Sequence, residues 1–425
     1  MLARRIRTSS TICSGLLIQL GLILPALVVS CAAPPLPEST TDVSTASAEP
    51  DWTIFVLGPN DVVSVRVIAP DQDAIDDYGA KLKLAGLDPA CVEFVTAKYG
   101  DIWVRDTGPI WREYEDGEIA LTWMGFNNWG YQPYIEGDWA KSDVPNMLPA
   151  QIGQHVGKAV HRTTLVGEGG DKSFNGKDAM ICCKAVETDR NPQLSVPEIE
   201  RRLREAFGVE RIIWVQEGLF DDSQTFRVRV EYGYATLPGG IFTPLCTGGH
   251  IDEYCRFVGE NRVLLAEVHP SVVKAGMTEV TAMTQFRMEG NLALLNKQVD
   301  AQGKALEILR MPLPPEMIYT IDDRDPCYSI INQLRGVSFQ GPIRIILAGS
   351  YCNYLVSNGV VCFPQYYREG MDEIVKEIDA DALAVIKQAF PDHRIAQINP
   401  MPVNAGGGGM HCISNHQPRG GGHTS

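Results

Sequence analysis

The stretch Asn404-Ala405-Gly406-Gly407-Gly408-Gly409-Met410-His411-Cys412-Ile413-Ser414 lies close to the end of the 425-residue chain. Four consecutive glycines allow positive φ and a close approach of the backbone to a ligand, and they lead directly into a cysteine. A phosphate-binding loop would carry Lys and then Ser or Thr after its glycines, whereas Met, His and Cys follow here. The stretch therefore predicts a nucleophile loop that closes the fold, with Cys412 as the thiol. The alternative is a flexible tail with an inert cysteine, and the other segments have to decide between the two.

The composition is that of an ordinary globular protein, with 44% hydrophobic and 21% charged residues. A chain of this length can bury one large core or two ordinary ones. The formal net charge of −15 argues against a nucleic-acid surface and agrees with a cationic substrate. Of the 11 cysteines, those beyond Cys31 are odd in number, which suits one reactive thiol together with some disulfide pairs.

The first residues are typical of a processing signal. Three arginines within the first seven residues precede an apolar run at 15–30 that is too short for a good membrane span. The run ends Val28-Val29-Ser30-Cys31, which resembles the bacterial lipoprotein signal, where cleavage precedes a cysteine that is then acylated. An ordinary secretory signal, cut nearby, is the alternative. In either case we expect an exported protein.

Three segments outside the main domain follow from this interpretation. Residues 1–30 are predicted to be a signal peptide, and residues 31–50, rich in Pro, Ser, Thr and Ala, a tether that begins at a lipidated Cys31. The Gly-rich residues 419–425 are predicted to be a disordered tail. We therefore expect a lipoprotein of a bacterial cell envelope, in the periplasm or on the outer surface, which touches the membrane only through its lipid anchor. The oligomeric state is not predicted.

Residues 51–418 are predicted to form the functional domain, with an α/β pattern. Strands are predicted at 52–57, 62–68, 119–123, 179–186, 211–215, 263–268, 306–309, 343–347, 360–363 and 394–398. Helices are predicted at 71–87, at 197–207 with Ser195 as the cap, up to about Asn296, and at 371–390.

Five polar motifs flanked by glycine accompany these strands, and they centre on Asp106, Glu168, His250, Asn353 and Cys412. Their spacing is too uneven to prove a repeat. It suits a ring of strand-helix units in which each unit delivers one side chain to a common centre. Each motif alone could be a surface turn, but five unrelated turns of this kind would be an improbable coincidence.

Two of the motifs permit a prediction of side-chain direction. If the segment around Asp106 is extended, Trp103 and Asp106 lie on opposite faces. At strand spacing His250 and Asp252 project to the same face, as a base and an anion must if they are to meet one substrate. The aromatic-rich loop at 125–134 is either packed irregular structure or the wall of a pocket.

The residue types indicate covalent chemistry on a cation. Without a CxxC or HxxxH spacing, the Cys, His and acidic residues do not suggest zinc, and we expect no metal. A Cys/His pair suggests nucleophilic catalysis, although Asp106, Asp252 and Glu168 would raise the pKa of the thiol unless a cation is bound. Guanidinium is the cation whose planar donors pair bidentately with carboxylates. A cysteine protease would rely on an oxyanion hole and has no need of such acids.

The segments DIWVRDTGP, EGGD, GHIDE, SYCNYLVSNGVVCFPQ and GGGGMHCISNHQP occur in this order across nearly the whole domain. In this they are similar to the agmatine deiminase and bacterial (Porphyromonas-type) peptidyl-arginine deiminase family of the pentein superfamily. The resemblance implies a single catalytic domain, folded as a five-bladed α/β propeller of ββαβ units around a central site.

The same resemblance implies a mechanism. Cys412 would attack the guanidinium carbon, and His250 would protonate the departing ammonia and then activate water. Asp106 and Asp252 would hold the guanidinium nitrogens. A thiouronium adduct would form on the cysteine, lose ammonia and hydrolyse to a ureido product, which for agmatine is N-carbamoylputrescine. No cofactor is required.

Glu168, Asp101, Trp103 and Asn353 match further motif positions, and the resemblance implies that they bind or support the substrate. The export signal favours arginine or arginyl peptides, so a peptidyl-arginine deiminase that makes citrulline is the alternative to an agmatine enzyme. An amidinotransferase would need an amine acceptor in place of water. A non-enzymatic lipoprotein that binds guanidinium compounds would need only the carboxylates.

Overall fold

A computed structural model describes residues 27–30, 64–114, 117–135, 142–225, 236–332, 334 and 337–418. The predicted strand at 52–57, the tether and the tail at 419–425 lie outside these residues. None of the helices in the described ranges is both long enough and apolar enough to cross a membrane.

Five ββαβ units account for most of the described strands. In each unit the middle strand pairs antiparallel with the strand before it and parallel with the strand after it. The first unit contains β1 (Leu27–Ser30), β2 (Ser64–Ala69), α1 (Gln72–Leu84) and β3 (Val92–Thr96). The helix of a unit crosses between its two parallel strands, as a parallel pair requires. The five-unit fold that the resemblance implies is therefore confirmed.

The remaining elements follow in chain order. After the helical turn α2 (Val104–Thr107), the second unit comprises β4 (Ile110–Glu113), β5 (Ile119–Gly125), α3 (Val144–Val156) and β6 (Val160–Val166). The third comprises β7 (Ser173–Phe174), β8 (Ala179–Cys183), α4 (Lys184–Arg190), α5 (Val196–Phe207) and β9 (Arg211–Val215). The fourth comprises β10 (Cys255–Phe257), β11 (Arg262–Glu267), α6 (Pro270–Ala275), α7 (Glu279–Leu295) and β12 (Glu307–Pro312).

Between the fourth and fifth units lies an inserted antiparallel pair. It comprises β13 (Ile318–Ile321), α8 (Pro326–Ile331) and β14 (Ile343–Ile346). The fifth unit comprises β15 (Leu355–Ser357), β16 (Val360–Pro364), α9 (Glu373–Ala389) and β17 (Arg394–Ile398), followed by α10 (Met401–Asn404) and β18 (Ser414–Gln417).

The last strand returns to the first unit. Strand β18 pairs parallel with β1, and Asn415 Nδ2 donates to the carbonyl oxygens of Val104 and Pro109 at 3.1 and 3.0 Å. The two ends of the domain are thereby joined next to the nucleophile loop. Strand β1 lies within the predicted signal peptide. Cleavage at the predicted site before Cys31 would remove this strand and its pairing with β18.

The largest apolar core lies beneath the third, fourth and fifth units. It includes Val215, Leu264, Phe363 and Ile378, all buried. Strand β8 is buried along its whole length, as expected for a strand covered on both faces. This core fixes the ends of the strands from which the site is built.

Several local predictions are wrong. The segment around Asp106 is not extended, because Thr107 N donates to Trp103 O at 3.1 Å and closes the turn α2. His250 and Asp252 are not at strand spacing either, since residues Ile251–Glu253 form a 3₁₀ turn. Helix α4 begins at Lys184, so the strand predicted at 179–186 ends at Cys183.

Two further expectations need correction. Ser195 occupies the N-cap position of α5, but its side chain makes no capping hydrogen bond. All nine cysteines of the described residues are free thiols, so the expected disulfide pairs are not formed.

Candidate active site

The five polar motifs occupy equivalent places in the fold. Each lies in the linker that leads into the next outer strand: Asp106 before β4, Glu168 before β7, His250 before β10, Asn353 before β15 and Cys412 before β18. Their side chains meet through the hydrogen bonds described below. The structure therefore brings the five motifs together at one centre, as predicted.

The thiol of Cys412 is held by an oriented amide. The cysteine is only 4% exposed, and Asn353 Nδ2 donates to its Sγ at 3.1 Å. His411 N donates to Asn353 Oδ1 at 2.8 Å, which fixes the direction of the amide. A hydrogen-bond donor aimed at sulfur favours the thiolate, the nucleophilic form of cysteine.

The last two glycines before Cys412 have to be glycine because a larger side chain would not fit there, and not only because the loop needs a flexible backbone. A Cβ on Gly408 would lie 3.0 Å from Cys412 Sγ and 2.7 Å from the ring of Trp103. A Cβ on Gly409 would lie 2.4 Å from Asn353 Oδ1. The loop can therefore bring the thiol to the amide and the indole only without side chains at these positions.

His250 is buried between two acids. Its Nε2 is 3.3 Å from Glu168 Oε2, and its Nδ1 is 3.7 Å from Asp106 Oδ1. Burial alone would lower the pKa of His250, but Asp106 and Glu168 outweigh it and raise that pKa to about 9. The imidazole is therefore protonated at neutral pH and can act as a proton donor.

Glu168 is a fixed negative charge. Burial would raise its pKa, but Arg190, whose Nε donates to Glu168 Oε1 at 2.8 Å, lowers the pKa to about 2. Arg190 Nη2 also donates to Thr247 O at 2.6 Å. Glu168 therefore supports His250, and both of its carboxylate oxygens face partners within the protein. Arg190 lies in α4, just beyond the predicted strand, and no local sequence signal marked it.

Asp106 is held by donors from two other segments. Trp129 Nε1 donates to Oδ2 at 2.8 Å, Gly170 N donates to Oδ1 at 2.9 Å, and burial raises the pKa of Asp106. Trp129 has φ of 52° and Asn128 of 55°, and the described chain holds no other non-glycine residue with positive φ. Such strain concentrates at functional sites. Within the aromatic loop at 125–134, Trp129 lines the cleft described below, while Phe126 and Tyr131 pack in an apolar core, so both predicted interpretations apply.

Asp252 lies between His411 and Cys412. Its Oδ2 is 2.7 Å from His411 Nδ1 and 3.5 Å from Cys412 Sγ. Burial raises the pKa of Asp252 to about 6. Burial, and then the charge of Arg105, lower the pKa of His411 well below its usual value, so its neutral ring donates from Nδ1 to Asp252. His411 adjoins the predicted nucleophile, but its partner lies far away in the sequence.

Three buried polar atoms at this centre lack a hydrogen-bond partner within the described part of the chain. They are His250 Nδ1, Asp252 Oδ1 and Glu253 Oε2. A Cβ on Gly170 would lie 2.5 Å from His250 Nδ1, 2.9 Å from Asp106 Oδ1 and 3.2 Å from Asp252 Oδ2. Since buried polar groups are normally paired, the two unpartnered carboxylate oxygens of Asp252 and Glu253 indicate a ligand rich in hydrogen-bond donors.

Asp101 and Trp103 lie at a cleft beside the centre. The cleft has a volume of about 280 Å³ and is also lined by Trp129, Leu245 and Ile330. Asp101 Oδ1 accepts from Trp103 N at 2.9 Å, and burial raises the pKa of Asp101 to about 7. Among the described residues that line the cleft, Asp101 is the only charged one. The structure therefore places Asp101 at the approach to the centre.

No metal ion is assigned to the site. Ligand-type atoms of Asp252, Glu253 and Cys412 lie within 4.8 Å of one another. Asn353 already donates to Glu253 and Cys412, and His411 donates to Asp252. These hydrogen bonds explain why the three ligand-type atoms lie close together without a metal ion. That no metal takes part stays a prediction.

The family model described as Porphyromonas-type peptidyl-arginine deiminase matches residues 31–229 and 234–418 of the chain. An agmatine deiminase of Pseudomonas aeruginosa (strain LESB58) is 30% identical over 338 residues, which cover 79% of each chain. An agmatine deiminase of Pseudomonas fluorescens is 29% identical over 343 residues, again 79% of each chain.

Solved structures resemble the fold. An agmatine deiminase of Enterococcus faecalis superposes with a TM-score of 0.59 at 23% identity and covers 82% of this chain and 81% of its own. An agmatine deiminase of C. jejuni gives a TM-score of 0.56 at 20% identity, with 82% and 80% covered. At these identities the likeness concerns the fold alone.

The protonation of His250 can be tested directly by ¹⁵N NMR of protein with labelled histidine. Both ring nitrogens should stay protonated until the pH approaches about 9. Glu168→Gln should lower this pKa because the ring loses an acidic partner, whereas the exposed Glu205→Gln should leave it unchanged. The raised pKa also stabilises the folded state, fully below the ordinary value of 6.5 and decreasingly as the pH rises through about 9. A neutral His250 ring at pH 7 would contradict this assignment.

Proposed function

The chain belongs to the Porphyromonas-type peptidyl-arginine deiminase family, and we propose that it hydrolyses the guanidinium group of agmatine to N-carbamoylputrescine and ammonia. As a member of this family the protein is a hydrolase of carbon-nitrogen bonds in linear amidines. The observation that carries the proposal is the pair of unpartnered buried carboxylate oxygens of Asp252 and Glu253 beside Cys412.

The guanidinium group binds to buried acids that the fold keeps away from water. Asp106 and Asp252 approach the centre from different linkers and can accept from separate guanidinium N–H groups. Burial raises the pKa of both carboxyl groups, so a bound cation restores the charge balance that burial has disturbed. Ion pairing is strong in this setting because water no longer screens it.

The first chemical step forms a carbon-sulfur bond. The thiolate of Cys412 attacks the guanidinium carbon, and Asn353 Nδ2 stabilises the sulfur until it attacks. The carbon-nitrogen bond then breaks, and protonated His250 gives its proton to the departing nitrogen, which leaves as ammonia. A thiouronium group remains on Cys412.

The second step restores the thiolate. His250, now neutral, takes a proton from water as the oxygen attacks the thiouronium carbon. The carbon-sulfur bond breaks and the ureido product forms as the second proton of the water passes to solvent. His250 is then protonated again for the next cycle. Glu168, kept ionised by Arg190, stabilises this imidazolium.

The cleft beside Trp103 supports an amine-bearing tail. The side chains described along it include the acid Asp101 and no lysine or arginine. The amine of agmatine would therefore find a counter-charge, whereas the α-carboxylate of free arginine would meet an acid. Peptidyl arginine carries neither charge at this place, and the predicted export favours it, so it is the second candidate.

Turnover of three substrates separates these possibilities. We expect ammonia and ureido product from agmatine, and a loss of about 10³-fold or more in Cys412→Ser, because the nucleophile is removed. Cys362→Ser, on β16, is the matched control and should retain activity. Free arginine and a peptide with an internal arginine are assayed separately. Normal turnover by Cys412→Ser would refute the mechanism, and turnover of the peptide alone would assign the peptidyl-arginine activity.

Asp101→Asn tests the tail site. We expect KM for agmatine to rise about fivefold with little change in kcat, since an ion pair of roughly 1 kcal/mol is lost away from the reacting atoms. Asp77→Asn, on the exposed face of α1, should change neither constant. An unchanged KM in Asp101→Asn would show that the amine does not bind at this acid.

We also propose that the protein is exported and anchored through a lipid on Cys31. Support comes from the sequence, because Cys31 lies outside the described residues. In cells given a labelled fatty acid, the wild-type protein should carry the label and partition with membranes, whereas Cys31→Ala should do neither. Labelled protein in Cys31→Ala, or unlabelled soluble wild type, would contradict this assignment.

A further inference from the structure

Glu253 is a buried acid that the mechanism above leaves without a role. It ends the turn Ile251–Glu253, and its side chain is 5% exposed. Asn353 Nδ2 donates to its Oε1 at 2.8 Å, and the same Oε1 lies 3.8 Å from Cys412 Sγ. Its Oε2 has no partner anywhere in the described residues. One amide hydrogen bond is poor compensation for burying a carboxylate, so a structural role alone does not explain this residue.

The thiol of Cys412 has to lose a proton before it can attack. Two acceptors lie near its sulfur, Asp252 Oδ2 at 3.5 Å and Glu253 Oε1 at 3.8 Å. Asn353 presents only its donor nitrogen to the sulfur. His250, already protonated, contacts Asp106 and Glu168, so it cannot take a second proton.

Asp252 is the poorer of the two acceptors. His411 Nδ1 already donates to its Oδ2. A proton on Asp252 would also cancel the charge that is to hold the guanidinium. Glu253 is not needed to hold the guanidinium, and its protonation would remove the repulsion between its carboxylate and the thiolate.

Electrostatics favours a proton shared between sulfur and Glu253. Burial, followed by the charge of Asp252, raises the pKa of Glu253 well above its usual range. The same two causes raise the pKa of Cys412. Two such neighbours titrate as a pair, which keeps one proton over a wide range of pH. The titratable groups that face Glu253 from its own turn and from the elements packed on it are Asp221, Asp222, Asp252, Cys352, Tyr366 and Cys412.

We propose that Glu253 is the proton acceptor for Cys412, a role that rests on the proposed function. The S–H bond breaks and its proton passes to the Glu253 carboxylate, while the electron pair stays on sulfur as the thiolate. The arriving guanidinium cation favours this transfer because it stabilises the thiolate. When the product leaves and sulfur again carries a negative charge, the proton returns from Glu253 and the resting pair is restored.

Alkylation of Cys412 by iodoacetamide, without substrate, tests the proposal. The rate is followed from about pH 6 to pH 9 by mass spectrometry of the Cys412 peptide, in the wild type and in Glu253→Gln. In the wild type the rate should be nearly independent of pH, because the proton moves within the pair. In Glu253→Gln it should rise about tenfold per pH unit, as for an isolated thiol of high pKa.

A merely electrostatic role gives the opposite pattern. In that case the wild-type rate would itself rise about tenfold per pH unit, and Glu253→Gln would react faster at every pH, because a negative charge next to sulfur is gone. That result would overturn the proposal. The wild-type profile alone decides the question if the variant does not fold. Since no guanidino compound is used, this outcome is separate from the turnover assay that tests the proposed function.

Discussion

The centre of this protein depends on buried acids of which only some have a cationic ion-pair partner among the described residues. Glu168, Asp106, Asp252 and Glu253 are all nearly inaccessible to water, and a thiol lies among them. Arg190 balances Glu168, and His250 is shared between Glu168 and Asp106. Unpaired charges in such surroundings cost several kcal/mol each, which the protein avoids through raised pKa values and a ligand that brings its own positive charge. This arrangement suits a substrate that brings its own positive charge, as a guanidinium compound does.

The fold makes this burial tolerable because the acids come from three linkers, one for Asp106, one for Glu168 and one for both Asp252 and Glu253. Each acid lies within five residues of the strand that follows it, so none can move out to water without disturbing its unit. Hydrogen bonds between linkers add to this, as when Gly170 N and Trp129 Nε1 both donate to Asp106. The strained backbone of Trp129 is held partly by Gln224 Nε2, which donates to its carbonyl oxygen at 2.7 Å.

The sequence alone predicted the fold class and the residues that carry a local signal. Cys412, His250 and Asp106 can be predicted as site residues because each lies in a polar motif flanked by glycines. Arg190, His411 and Glu253 carry no local signal of a role, since their importance depends on partners far along the chain. The short turns at Val104–Thr107 and Ile251–Glu253 cannot be predicted from the sequence, because four or fewer residues hold no usable periodicity.

Calorimetric titration of Cys412→Ser, which keeps the acids but lacks the thiol, tests the central claim most directly. Agmatine should bind to this variant, and putrescine, which has amines but no guanidinium group, should bind at least tenfold more weakly, because the acids recognise planar N–H donors. Equal binding of the two compounds would contradict the account, as would the absence of agmatine binding to folded protein.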